Sequence, residues 1–298
     1  MSFWQTQSWK NLLLKSNQAS EVFEIDGIFV EKRSIWLGKY GLFVLGLDTK
    51  ISLELEQKLV LLCKQKKCLF IQVEDLDYEN LSEKKYEFFK FWFYKKFITP
   101  YTAVIDLSKN IDEILALMKP KWRYNIKLAE KKWLKAEIVE KTEENIKIFY
   151  DLMLETTSRD NFNGNKLEYY VDFLENIKNS ELIFVYFEEK VVCAWIFVFD
   201  KEISIYYYWA STSDKLYRNL MWPYLMQYFA IQKSMEIWSK IYDFLWVATP
   251  WEINSHLAWV TDFKLKFTSD VRNISNSYIF INNKVLYLII QILRKIKK

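Results

Sequence analysis

Leu182-Ile183-Phe184-Val185-Tyr186-Phe187, Val191-Val192-Cys193-Ala194-Trp195-Ile196-Phe197-Val198-Phe199 and Ile203-Ser204-Ile205-Tyr206-Tyr207-Tyr208-Trp209 are three short runs of β-branched and aromatic residues, separated by charged turns. Runs of that length and composition predict three consecutive strands. Lys215 to Trp238 then predicts a long helix and Ile241 to Trp246 a further strand. Upstream, Thr102 to Leu107 predicts a strand. Helical spacing follows over Ile111 to Met118, Trp122 to Lys132, Glu143 to Glu155 and Lys166 to Lys178.

A strand, helices, three strands, a helix and a strand is the order of a GNAT-type acyltransferase domain. The same order begins the chain. A helix over Ser8 to Lys15 precedes Val22 to Val30, whose alternation is broken by Asp26-Gly27, the strongest short signal for a hairpin. A strand at Leu42 to Leu47, a helix from Ser52 to Lys67 and a strand at Cys68 to Val73 follow. The expectation is an α/β (α+β) protein of two GNAT-like domains, each a mixed sheet flanked by helices.

Composition narrows the function. With 298 residues, 51% hydrophobic and 27% charged, the chain can bury two ordinary cores. Cys63, Cys68 and Cys193 are odd in number and lack metal-ligand spacing, which predicts a reducing compartment and no metal site. The start, Met1-Ser2-Phe3-Trp4-Gln5, is not a signal peptide, and no run reaches membrane-spanning length. A cytoplasmic location is expected. A net charge of +4 permits a polyanionic partner without requiring one. Lys119, Lys121, Arg123, Lys127, Lys131 and Lys132 could meet phosphate or form a solvated face. Val285 to Lys298 combines an apolar stripe with a basic end. That reads as a packed terminal helix or as a contact with the anionic inner face of a membrane.

Several segments resemble the FemABX family, which builds the interpeptide bridges of peptidoglycan. They are Thr102-Ala103-Val104-Ile105-Asp106-Leu107 with Lys121-Trp122-Arg123-Tyr124-Asn125-Ile126-Lys127, then Phe149-Tyr150-Asp151-Leu152 with Thr156-Thr157-Ser158-Arg159-Asp160-Asn161-Phe162. Tyr242-Asp243-Phe244, Val260-Thr261-Asp262-Phe263-Lys264-Leu265-Lys266-Phe267 and the opening Phe3-Trp4-Gln5 with Trp9 complete the set. The order and spacing make the resemblance specific. It covers nearly the whole chain, looks like the armless form, and implies a first domain at residues 1–133, completed by 268–298, with the second at 134–267 inserted into it.

The resemblance implies transfer of an amino acid from aminoacyl-tRNA, as co-substrate and with no cofactor, to the stem-peptide amine of a nucleotide- or lipid-linked peptidoglycan precursor. The ester is already activated, so positioning and oxyanion stabilisation suffice. Lys264 matches the family lysine near the transfer site, and alternation of Phe263, Leu265 and Phe267 places it on a strand. Asp106 either orients the acceptor amine or caps the following helix. Arg159 matches an arginine implied to hold the precursor's diphosphate, with an ion pair to Asp160 as the plain alternative. Lys10 and Lys15 are the candidates for a first-helix substrate contact. Tyr206 and Tyr208, two apart in a strand, should share a face and line a cleft, while Tyr207 enters the core. The motif Arg123-Tyr124-Asn125 reads best as packing, and the single histidine, His256, as structural. The groove between the domains is expected to hold Arg159 toward one end and Lys264 deeper. The alternative function is a GNAT-like N-acyltransferase using acyl-CoA on a sugar precursor, although Ser211-Thr212-Ser213-Asp214-Lys215 is not a glycine-rich loop. A third is a scaffold without catalysis.

One compositional feature stands apart. The chain has 13 Trp and only 5 Gly, where average usage predicts about 20 glycines. Trp133, Trp195, Trp209, Trp238, Trp246 and Trp259 stand where the family pattern has glycine, several at turns or element ends. They are expected to be glycines encoded by UGA in a bacterium that reads that codon so, whereas Trp9 is expected to be genuine. Indoles at such places should fall in turns, half exposed, or crowd the groove.

Overall fold

A computed structural model describes residues 2–79, 81–250, 252, 255 and 257–296, with the backbone alone at Arg218 and Lys295. His256 and the basic residues Lys297 and Lys298 lie outside the described residues. The chain divides into two compact units, Met1–Pro100 with Asn273–Lys298, and Tyr101–Arg272.

The first unit opens with helix α1 (Gln7–Lys15), capped by the Thr6 side chain. Strands β1 (Glu21–Ile25) and β2 (Ile28–Ser34) form the expected hairpin. Asp26 (φ 50°) and Gly27 (φ 78°) supply the two left-handed residues of a type I′ turn. Strand β3 (Tyr40–Leu47), helix α2 (Leu53–Gln65) and strand β4 (Phe70–Asp75) follow, β3 and β4 being parallel as a helical crossover requires. Short β5 (Lys90–Phe91) lies at the far edge of this sheet.

The second unit begins with β6 (Tyr101–Asp106), α3 (Ile111–Leu117), α4 (Pro120–Lys131) and β7 (Lys135–Val139). Helices α5 (Glu143–Asp160) and α6 (Leu167–Asn176) lead to β8 (Ser180–Phe187), β9 (Lys190–Val198) and β10 (Ile203–Ser211). Helix α7 (Trp222–Glu236), β11 (Ile241–Asp243), α8 (Ala258–Lys264) and β12 (Val271–Asn273) complete it. The strand order is β12-β6-β11-β10-β9-β8-β7, with β10 and β11 parallel. Strand β13 (Ser277–Ile281) and helix α9 (Lys284–Ile296) return to the first unit, and β13 enters its sheet between β4 and β5. Both sheets are mixed and flanked by helices, as expected.

The division falls at 100/101 and 272/273 rather than at 133/134 and 267/268. The reason is backbone pairing: β6 hydrogen-bonds antiparallel to β11, so residues 101–133 build on the second sheet. The long helix expected from Lys215 to Trp238 is broken. Residues Lys215–Leu220 form a 3-10 turn, Met221 turns left-handed (φ 63°), and α7 starts only at Trp222-Pro223. Proline is accepted in a first helical turn and not inside one.

Candidate active site

Helix α8 carries Lys264 at its last position, and the side chain is 1% exposed. This corrects the expected strand. Phe263 and Phe267 pack with ring centroids 5.3 Å apart, because the chain turns after α8, where the Lys266 N–H reaches Phe263 O (3.3 Å) and the Phe267 N–H reaches Lys264 O (3.0 Å). The Lys264 Nζ donates to the carbonyls of Leu245 (2.6 Å) and Trp246 (3.2 Å). It also lies 5.6 Å from the centre of the Tyr206 ring. Those two carbonyls point at it because Leu245 (φ 50°) and Trp246 (φ 37°) are both left-handed, which ends β11 at Asp243 instead of continuing it to 246. Burial pushes the Lys264 amine down to about 7, opposed by the Asp243 carboxylate.

Asp243 itself is buried, accepting hydrogen bonds from the Thr102 hydroxyl and from the Leu245 N–H (2.7 Å). It is the site residue the sequence reading gave no role. Its signal is a lone carboxylate inside the apolar run Ile241-Tyr242-Asp243-Phe244-Leu245, which needs a fixed partner to be tolerated.

Tyr206 and Tyr208 do not share a face. Register against β9 slips between them, Tyr206 opposing Phe197 and Tyr208 opposing Ile196. The extra residue is a β-bulge, which reverses the alternation. Tyr206 therefore packs on Trp195 (4.7 Å between centroids) beside Lys264. Tyr208 turns to the other face, where its hydroxyl donates to Tyr169 (3.1 Å) and its ring meets Tyr170 (5.3 Å). Tyr207 is buried, as expected, against Phe173.

Two cavities adjoin these residues, both within the second unit. One of about 90 Å³ lies at Lys264, between Trp195, Tyr206, Trp209, Trp222, Pro223, Trp259, Val260 and Phe263. The other, of about 500 Å³, is lined by Met153, residues 160–165, Tyr170, Tyr208, Trp209, Trp246, Leu257, Trp259 and Val260. Its volume is that of a small-molecule site.

Arg159 stands at the rim, on the last turn of α5. It forms a two-pronged pair with Asp160 (2.9 and 3.0 Å) and donates to Ser211 Oγ (3.2 Å) and the Thr212 carbonyl (3.3 Å). Asp160 lines the larger cavity. The anchor is Thr156, one turn earlier and fully buried, whose Oγ1 accepts the Ser211 N–H (2.8 Å) and donates to the Ser211 carbonyl (3.1 Å).

Asp106 ends β6 and accepts the Ser108 N–H (3.0 Å). Hydrogen bonds from Ser108 hold its carboxyl below the usual range. The helix cap is Asn110, in a capping box with Glu113. Asp106 opposes Ile241 and Val104 opposes Asp243, so Asp106 sits about 13 Å along the strand from the level of Leu245, and the structure does not bring it to Lys264. Lys10 and Lys15 belong to α1 of the first unit. Lys10 Nζ lies 5.0 Å from the centre of the Phe29 ring, and Lys15 is on the surface. Arg123 closes the end of α3, donating to the carbonyls of Leu115 (3.1 Å), Ala116 (3.2 Å) and Met118 (2.6 Å), which is a packing role.

A mixed sheet with the GNAT order of elements, carrying a buried amine in a small pocket next to a ligand-sized cavity, is the architecture of an acyltransferase-type fold. The chain belongs to the FemAB family, whose model matches residues 80–187 and 177–295. A crystal structure of FemX superposes with a TM-score of 0.78, at 15% identity, over 97% of this chain and 94% of that one. A conserved protein of unknown function from Bacteroides thetaiotaomicron gives 0.60 at 13% identity, over 91% and 89%. L-PGS from Bacillus licheniformis gives 0.58 at 11%, over 91% and 87%. At these identities the likeness is one of fold. Among curated proteins none matches. No helix among the described residues is long and apolar enough to cross a membrane.

Proposed function

We propose that the chain transfers an amino acid from aminoacyl-tRNA to the stem-peptide amine of a peptidoglycan precursor, either UDP-MurNAc-pentapeptide or lipid II, in forming the cell-wall bridge. The observation that carries the reading is Lys264, a buried amine held by two carbonyls in a pocket of about 90 Å³ next to a cavity of about 500 Å³. The acceptor amine attacks the ester carbonyl, the N–C bond forms, and the C–O bond to the ribose breaks. The amine's proton ends on the leaving ribose oxygen. Lys264, protonated, stabilises the oxyanion of the tetrahedral intermediate in a site that excludes water. Arg159 offers a guanidinium to the precursor's diphosphate by exchanging its pairing with Asp160. The acyl-CoA alternative needs backbone N–H groups for a pyrophosphate at the head of α7, and Pro223 removes one of them.

A peripheral contact with the cytoplasmic membrane face belongs to the same reading. Helix α9 packs through Tyr287 and Ile290, yet leaves Val285, Leu288, Ile289, Ile292 and Ile296 exposed, and Trp92 is 58% exposed in the same unit. An apolar stripe flanked by basic residues suits an anionic lipid surface.

The decisive assay combines purified protein, charged tRNAs and the two precursor forms, with products read by mass spectrometry. An aminoacylated precursor is expected. Acylation from acyl-CoA alone, or no product with any donor, refutes the proposal. Sedimentation with anionic vesicles, lost in Leu288→Glu, tests the membrane contact.

A further inference from the structure

The backbone at three of the six anomalous tryptophans is that of glycine. Trp133 (φ 60°), Trp238 (φ 64°) and Trp246 (φ 37°) are left-handed, a region where a Cβ crowds the following carbonyl. Trp133 and Trp238 each stand one residue beyond a helix C-cap, after α4 and α7. The Trp133 N–H reaches Glu130 O (3.0 Å) and the Leu134 N–H reaches Ala129 O (3.4 Å); the Trp238 N–H reaches Met235 O (3.0 Å) and the Ser239 N–H reaches Ser234 O (3.0 Å). This paired pattern is the Schellman motif, whose left-handed residue is by preference glycine. Asn17 and Lys67 hold the same place after α1 and α2, so a side chain is tolerated there. Nothing is gained from an indole, however: Trp133 and Trp238 are 82% and 84% exposed, more than any other large hydrophobic residue described.

The remaining three fill space around Lys264. Trp195 is 1% exposed, and its Nε1 has no hydrogen-bond partner, a cost that an apolar or absent side chain would not incur. Trp209 opposes Trp195 across the strands and meets Trp259 edge-on at 5.7 Å. Trp209, Trp259 and Val260 line both the Lys264 pocket and the larger cavity. The two spaces are thus separated by a wall made largely of two indoles.

We propose that positions 133, 195, 209, 238, 246 and 259 are glycine in the protein its own organism makes, encoded by UGA read as glycine, and that the Lys264 pocket and the larger cavity are then one cleft. Three glycines restore unstrained left-handed turns. The others open a path from the cavity rim to the amine, wide enough for an acyl group. The cleft follows from the side chains removed and holds whichever donor the enzyme uses.

Two measurements test it. Peptide mass spectrometry of the protein from its source, with the coding DNA, should show glycine and UGA at all six positions; tryptophan masses or UGG codons overturn the proposal. The six-tryptophan and six-glycine chains are then made side by side and treated with a small amine-directed reagent at mildly alkaline pH. Lys264 should react about tenfold faster or more in the glycine chain, the difference between a cleft residue and one reached only by local opening, with exposed Lys39 as the internal standard. Equal protection of Lys264 in both folded chains overturns the cleft. Trp133→Gly with Trp238→Gly, which leaves the cavities intact, should raise the melting temperature, and an unchanged or lower value overturns the turn argument. None of these readouts depends on aminoacyl transfer, so the two readings fail separately.

Discussion

Replacing Lys264 by Met should change how stability depends on pH. Burial holds the folded-state amine at about 7, whereas its ordinary value is 10.5. Below about 7 both folded and unfolded chains carry the proton, and the cost of burying an ammonium is felt in full. Between about 7 and 10.5 the unfolded chain binds a proton that the folded chain has released, so this group makes the protein more stable as pH rises. Each pH unit inside the window is worth about 1.4 kcal/mol, so going from about pH 7.5 to 9 should add about 2 kcal/mol. Cys63, pushed up to about 12 by burial, and Cys193, also raised by burial, act in the opposite direction at alkaline pH. They are common to both proteins and cancel in the difference. Loss of the donor to the Leu245 and Trp246 carbonyls costs the variant about 1–3 kcal/mol, an offset that does not vary with pH. Urea unfolding followed by fluorescence at a series of pH values gives both curves. The stability of the parent relative to Lys264→Met should grow by about 2 kcal/mol across the interval. A pH-independent gap would show that the folded-state amine titrates as it does in the unfolded chain, and would refute the lowering by burial.

Lys264→Ala should lower kcat by about 10²–10³-fold, the usual loss on deleting one oxyanion donor, while precursor binding measured by calorimetry stays unchanged; equal losses in both would make Lys264 a binding residue. Arg159→Ala should raise the precursor Kd by about tenfold, as for a lost charge-assisted phosphate contact, and spare the rate at saturation; an unchanged Kd counts against the phosphate role. Thr156→Val keeps the shape and removes both bonds to Ser211, so thermal unfolding should show a loss of about 1–3 kcal/mol. Stability equal to the parent would mean that α5 is positioned by packing alone.

Local signals were legible where one residue type decides the geometry. Asp26-Gly27 forces its hairpin. The motif reading put forward Lys264 and Arg159 as candidates, strand composition marked Tyr206 to Tyr208, and the family match agrees with the resemblance. What escaped depends on tertiary contact. Phe263, Leu265 and Phe267 alternate as a strand would, yet the chain is helical to Lys264 and then turns, with Lys264 held under the Leu245 and Trp246 carbonyls. The bulge at Tyr207 is invisible in a sequence of three identical residues, yet it sends Tyr206 and Tyr208 to opposite faces. The domain boundary was missed because β6 pairs with a strand more than a hundred residues later, which no local pattern encodes.

The place of β13 governs the order in which the molecule can be made. Strand β4 needs β13 for half its hydrogen bonds, and the Asn276 N–H closes on Asp75 from 201 residues away. During synthesis the first hundred residues emerge with that edge of β4 bare, while Tyr101–Arg272 is a continuous segment able to fold behind them. An unpaired central strand is a template for wrong partners. The unit begun before Tyr101–Arg272 is therefore finished after it, because its sheet stays open until β13 has emerged.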